Sequence, residues 1–164
     1  MNDLPKRKSI RLKEYDYSSN GAYFVTICTK DMKCILSTIC APESEFFVGA
    51  DIIRPRLSDY GLIVDKAINS VPEHYNGVNV DRYVIMPNHI HMIISINAFD
   101  GRMVSAPTVI GSLKRYVSKE VGGSIWQKSF YDHIIRDEED YMQHIQYIDE
   151  NPKKWLMGKD EYYS

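Results

Sequence analysis

No stretch of the sequence keeps apolar residues running for the eighteen or so positions that a bilayer-spanning helix needs, which excludes a helical membrane protein. The basic N-terminal segment is not followed by the apolar run of a secretory signal, so the chain reads as cytosolic. Cysteine is scarce. Cys28, Cys34 and Cys40 form an odd set without a C-x-x-C pair, which fits neither a disulfide framework nor a zinc ribbon and leaves them as packing residues. No glycine-rich Walker loop is present, so that route to nucleotide hydrolysis is missing. Excess positive charge is missing too: 20 Lys and Arg stand against 22 Asp and Glu, a net charge of -2, without the overall basic footprint common to nucleic-acid binders. At 164 residues, the chain suits one domain spanning residues 1–164, with about two thirds of the unfolded chain's surface buried in a single core.

The charges that are present are unevenly placed. Lys6, Arg7, Lys8, Arg11 and Lys13 occur without an intervening acid, and "SLKRYVSKE" adds Lys114, Arg115 and Lys119, whereas acids gather at Asp137 to Asp140. Such runs are either solvated surface or contacts to a phosphate backbone. Tyr15, Tyr17 and Tyr23 read as core residues near a first strand, with base stacking as the functional alternative.

That first strand is "AYFVTICT", β-branched and aromatic, after the turn-like "SSNG". Short strands are expected around Cys34 to Ile39 and Phe46 to Val48, with "APES" as a turn between them. A helix follows, N-capped by Ser58, with Tyr60, Val64, Ala67, Ile68 and Val71 at helical spacing before Pro72.

"VNVDRYVIM" and "HIHMIISI" form a hairpin with Pro87 and Asn88 at the turn. Strand side chains alternate, so His89 and His91 share one face while Ile90, Met92, Ile94 and Ile96 line the other. One face builds a core. The other presents two imidazoles close enough to share one cation, or simply two polar groups facing water.

"FYDHIIRDEEDYMQHIQYIDENPKKW" predicts a strand over Phe130 to Ile135, then a helix capped near Asp137, with acids at the positive end of its dipole, and ended by Pro152. Tyr141, Ile145 and Ile148 make its apolar stripe. Beside them Tyr147 and Asn151, at i and i+4, offer a hydroxyl and an amide oxygen, or a rim-of-core tyrosine and a helix terminator. Tyr116, Tyr131 and Tyr141 are rivals for any role given to Tyr147.

Taken together, "MPNHIHMII", "SLKRYVSKE", "IWQKSFYDHIIRDEEDY" and "YIDENP" resemble the REP-associated branch of the HUH single-tyrosine transposases, and "RKSIRLKEYDYSSNGAYFVTICT" is similar to the start of those proteins. The resemblance covers nearly the whole chain, in order and spacing. It implies that His89 and His91 are metal ligands, that Tyr147 is the nucleophile and that Asn151 completes the metal site, with Mg²⁺ or Mn²⁺ as the ion. It further implies a bacterial enzyme that cuts and rejoins single-stranded DNA hairpins, formed by repetitive palindromes or element ends, through a 5′-phosphotyrosine. Monomer and homodimer both fit. Backbone contacts are expected from Lys6, Arg7, Lys8, Arg11, Lys114 and Arg115. His133 and His144 stay outside the metal set, His144 at the edge of the site and His133 supporting its strand. The alternatives are a metal-dependent nucleotide phosphohydrolase, disfavoured because Ile93 stands where a third histidine would, and a non-catalytic nucleic-acid-binding module. The order β-α-β-β-α-β plus a final helix predicts an α+β fold, a ferredoxin-like antiparallel sheet with helices on it, and the resemblance implies that the C-terminal helix is the catalytic one.

Overall fold

The computed structural model describes residues 20–41, 53–97 and 104–162. Strand β1 (Gly21–Cys28) is followed by one 3-10 turn, then by the two-residue strands β2 (Ser37–Thr38) and β3 (Arg56–Leu57), which pair with each other. Helices α1 (Asp59–Asn69) and α2 (Val71–His74) lead into the hairpin β4 (Val78–Ile85) and β5 (His89–Ile96), and α3 (Ala106–Glu120), β6 (Tyr131–Ile135) and α4 (Glu138–Leu156) complete the chain. Ser58 caps α1 as its sequence predicts, its hydroxyl accepting from the Gly61 N–H at 3.1 Å. Gly77 sits at φ 80° before β4, where an added Cβ would lie 2.1 Å from the Asn97 carbonyl oxygen, so only glycine fits that turn.

The main sheet is four-stranded in the order β4-β5-β1-β6, with each neighbouring pair antiparallel. This is the expected ferredoxin-like arrangement, in which β5 is inserted between β1 and β4. Alternation along the central strands then sorts the side chains. Tyr23, Val25 and Ile27 join Ile90, Met92, Ile94 and Ile96 against α1 and α3. Phe24 and Ile93 face the other way, where Ile148 and Trp155 of α4 cover them with Val84 and Met86. Each fully buried aliphatic side chain contributes about 2 kcal/mol of transfer free energy, so both faces hold their helices.

Two expectations change. The strand around Cys34 to Ile39 shrinks to Ser37–Thr38, which pairs among the described residues with the two-residue Arg56–Leu57; the strand at Phe46 to Val48, and "APES" beyond Ala41, lie outside the described residues. Pro152 does not end the last helix, which runs on to Leu156. The hydrogen bond that proline forfeits is offset by burial of Pro152 itself and of Trp155 one turn later. Tyr23 is fully buried in the core, as expected, and offers no ring to a base.

Candidate active site

The hairpin loop places the histidines. Pro87 and Asn88 form a two-residue connection closed by the Met86 N–H donating to the His89 carbonyl at 2.8 Å, so β5 starts on His89. Alternation sends His89 and His91 to the face covered by α4, not to solvent, and they are 0% and 1% exposed. The reading of that face as open to water is therefore corrected: the anchors Ile148 and Trp155 pull α4 down over it. The same packing lowers Tyr147 and Asn151 onto the pair. The Tyr147 ring centroid lies 5.1 Å from that of His91, and Asn151 Oδ1 lies 3.4 Å from His89 Nε2.

Burial pushes the His89 imidazole down to about 4, with Asn151 opposing, and holds His91 well below its ordinary value, helped by the nearby charges of His89 and His144. Both rings are therefore neutral at pH 7, each with one N–H and one lone pair. His89 Nδ1 is 2.7 Å from Asn88 Oδ1, while the Asn88 amide nitrogen donates to the Tyr162 carbonyl at 2.9 Å. An amide oxygen only accepts, so Nδ1 carries the proton and Nε2 turns its lone pair toward Asn151 Oδ1. His91 Nδ1 is 2.8 Å from Thr26 Oγ1, and its buried Nε2 has no partner among the described residues. Asp160 adds a buried carboxyl whose Oδ2 is also unpartnered and whose pKa is raised by burial. A buried polar atom without a partner is costly, and a ligand that satisfies it would relieve that cost.

A second cluster lies at the β6–α4 corner. His133 Nε2 donates to Asp140 Oδ2 at 2.9 Å, His144 Nδ1 lies 3.1 Å from Asp140 Oδ1, and the two rings stack at 4.8 Å. One ligand atom from each of these three residues lies within 4.8 Å of the others. His144 also lines a cavity of about 470 Å³ with Tyr147, His91 and Tyr131. A larger cavity of about 630 Å³ runs along β4 beside Arg82 and Asp149 and is lined by neither histidine of the pair nor Tyr147, whereas the smaller one is lined by His91 and Tyr147. There the Tyr147 hydroxyl donates to Glu161 Oε1 at 2.5 Å, and burial, then the Glu161 carboxylate, push the phenol well above its ordinary pKa.

The structure brings His89, His91, Tyr147 and Asn151 together. It does not bring Lys114 and Arg115 to them: both lie on α3, across the sheet, and Lys114 Nζ donates to the Gln127 carbonyl at 2.7 Å. Lys6, Arg7, Lys8 and Arg11, with Tyr15 and Tyr17, lie outside the described residues. Among the rival tyrosines, Tyr116 is on α3 and Tyr141 donates to Asp81, leaving Tyr131 as the one that shares the cavity. Sequence reasoning missed Thr26, Asp160, Glu161 and Tyr162. No periodicity marks the three that follow α4, whereas His144 could have been tied to Tyr147 by its i, i+3 spacing.

No family model matches the chain. An uncharacterized protein of Haemophilus influenzae is 33% identical over 172 residues, spanning 91% of this chain and 89% of its own. A second protein of that organism, provisionally named a REP-associated tyrosine transposase, is 25% identical over 151 residues, 85% of this chain and 74% of its own. The REP-associated tyrosine transposase of Escherichia coli is 33% identical over 76 residues, 46% of this chain and 44% of its own. Among solved structures, a REP-associated tyrosine transposase bound to a REP hairpin matches with a TM-score of 0.60 at 23% identity, over 87% of this chain and 74% of that one, which speaks to the fold. Among the described residues no helix is long and apolar enough to cross a membrane.

Proposed function

We propose that this chain, which belongs to the REP-associated tyrosine transposase family, cleaves and rejoins single-stranded DNA carrying hairpins, through a covalent 5′-phosphotyrosine at Tyr147. The observation that carries this reading is the convergence of Tyr147 and Asn151, from α4, on the buried pair His89 and His91. A relative of this fold is held by a REP hairpin, which supports a hairpin as the substrate.

The donor set fits a divalent cation. His89 through Nε2, His91 and Asn151 through Oδ1 are the residues that would hold Mg²⁺ or Mn²⁺: a proton on His89 Nδ1 leaves its Nε2 lone pair toward Asn151 Oδ1, and the His91 ring centroid lies 4.5 Å from that of His89. At the β6–α4 corner the imidazoles already commit hydrogen bonds to Asp140, which makes that cluster the weaker ligand set. When bound, the ion polarises the scissile phosphate and offsets its developing charge. The chain's own residues do the rest. The Tyr147 oxygen forms the bond to phosphorus, the 3′ oxygen leaves with its electron pair, and the phosphotyrosine keeps the ester's energy so that a 3′-hydroxyl can reverse the step. Lys154 Nζ, 5.0 Å from the Tyr147 ring centroid, sets a positive charge beside the nucleophile. Phe24 and Trp155 keep water from the buried side of the imidazoles.

The test is to incubate the protein with hairpin-bearing single-stranded DNA and Mn²⁺ and look for a denaturant-resistant adduct mapping to Tyr147. A hydrolase releases both fragments and a passive binder cuts nothing, so either result removes this function.

A further inference from the structure

Glu161 is not used by the chemistry above, yet its Oε1 is the atom that accepts the Tyr147 hydroxyl, at 2.5 Å. The carboxylate is not loosely draped there. On one side of it the Tyr162 carbonyl accepts from the Asn88 amide at 2.9 Å, and the Tyr162 N–H donates to Asp160 Oδ1 at 2.7 Å. The Tyr162 ring rests against His89, with centroids 4.6 Å apart. These contacts tie the turn after α4 to the hairpin that carries the histidines, and so fix Glu161 against the nucleophile.

We infer that Glu161 is the general base that takes the proton of Tyr147 during strand cleavage, an inference that rests on Tyr147 being the nucleophile. As the phenolic oxygen bonds to phosphorus, its O–H bond breaks and the proton passes to Glu161 Oε1, leaving a neutral carboxylic acid. The bond from phosphorus to the 3′ oxygen breaks with its electron pair on that oxygen, which takes a proton from solvent. In the rejoining step the acid returns its proton to the tyrosine oxygen.

Of the groups around the phenol, Glu161 is the one whose oxygen touches its hydroxyl. Lys154 over the ring is a cation and has no free pair to accept with. His144 directs Nδ1 to the Asp140 carbonyl at 2.8 Å, so its Nε2 lone pair is the rival acceptor in the cavity, but no hydrogen bond joins it to the Tyr147 hydroxyl as one joins Glu161. A carboxylate already in contact with the hydroxyl lets proton removal accompany attack, with no free phenolate formed first.

The experiment compares wild type, Glu161→Gln and Glu161→Ala by the single-turnover rate of adduct formation on hairpin DNA with Mn²⁺, and by hairpin affinity from fluorescence anisotropy. Glutamine keeps an oxygen that accepts the hydroxyl but cannot take its proton, so Glu161→Gln is expected to lose roughly 10²-fold or more in rate at unchanged affinity. Added formate is expected to restore part of the rate to Glu161→Ala, whose vacated space admits a small carboxylate. A Glu161→Gln protein that forms the adduct at the wild-type rate or faster overturns the inference and makes the contact a clasp over the nucleophile. Wild-type protein that forms no adduct at Tyr147 overturns the nucleophile assignment and this one with it.

Discussion

His89 Nε2 and Asn151 Oδ1 face each other across 3.4 Å, and the proton that would make this a hydrogen bond sits on the far side of the ring, where Nδ1 lies 2.7 Å from Asn88 Oδ1. A positive charge placed near two facing acceptors would relieve their opposition. Titration calorimetry with Mn²⁺ should therefore find a site that His91→Ala abolishes and Asn151→Leu weakens. His133→Ala should leave it intact. Affinity lost in His133→Ala and retained in His91→Ala would move the metal centre to the β6–α4 corner.

Asn151→Asp separates electrostatics from packing, because it changes charge at nearly constant shape. Without metal, the new carboxylate is buried beside Asp160, and a loss of about 1–3 kcal/mol is expected at pH 7. With saturating Mn²⁺ the same charge is attractive. Thermal unfolding should show the variant below wild type without metal and gaining more from the ion; equal gains in the two proteins would remove Asn151 from the ligand set.

The buried imidazoles also set an acid limit. His89 titrates at about 4 in the folded chain and near 6.5 when unfolded, so between these values the unfolded state binds more protons and stability rises with pH. The contribution is complete above pH 6.5 and is lost as pH falls toward 4, amounting to about 3 kcal/mol for His89 alone, with His91 acting in the same direction. Urea midpoints measured without metal should fall over this window. His89→Gln, which has no imidazole to protonate, should flatten the fall; an unchanged slope would show that His89 is not its source.

Much of this site could be read from the order of residues, because periodicity carries it. Alternation in "HIHMIISI" put both histidines on one face, and the i, i+4 spacing put Tyr147 beside Asn151. What alternation leaves open is which face is covered. His89 and His91 are buried because Ile148 and Trp155 anchor α4 over them, a packing choice between elements far apart in sequence. Pro152 misled for a related reason, since burial outweighed a local rule. Glu161 carried no signal at all: it reaches Tyr147 through a turn whose course depends on Asn88 and Tyr162.

The decisive substitution is Tyr147→Phe. It removes one oxygen and keeps the ring that packs edge-on against Phe24, with centroids 5.8 Å apart, and stands 5.1 Å from His91. The hydroxyl's partner is the exposed Glu161, which regains water when the phenol oxygen is gone, so stability should change by less than about 1 kcal/mol. The Mn²⁺ site should be unaffected, because Tyr147 supplies none of its proposed ligands. Hairpin affinity should persist for the same reason. Adduct formation, by contrast, should vanish altogether, since no other atom on that ring can form the ester. If Tyr147→Phe still becomes covalently attached to DNA, the nucleophile lies elsewhere, and Tyr131, which lines the same cavity, is the residue to change next.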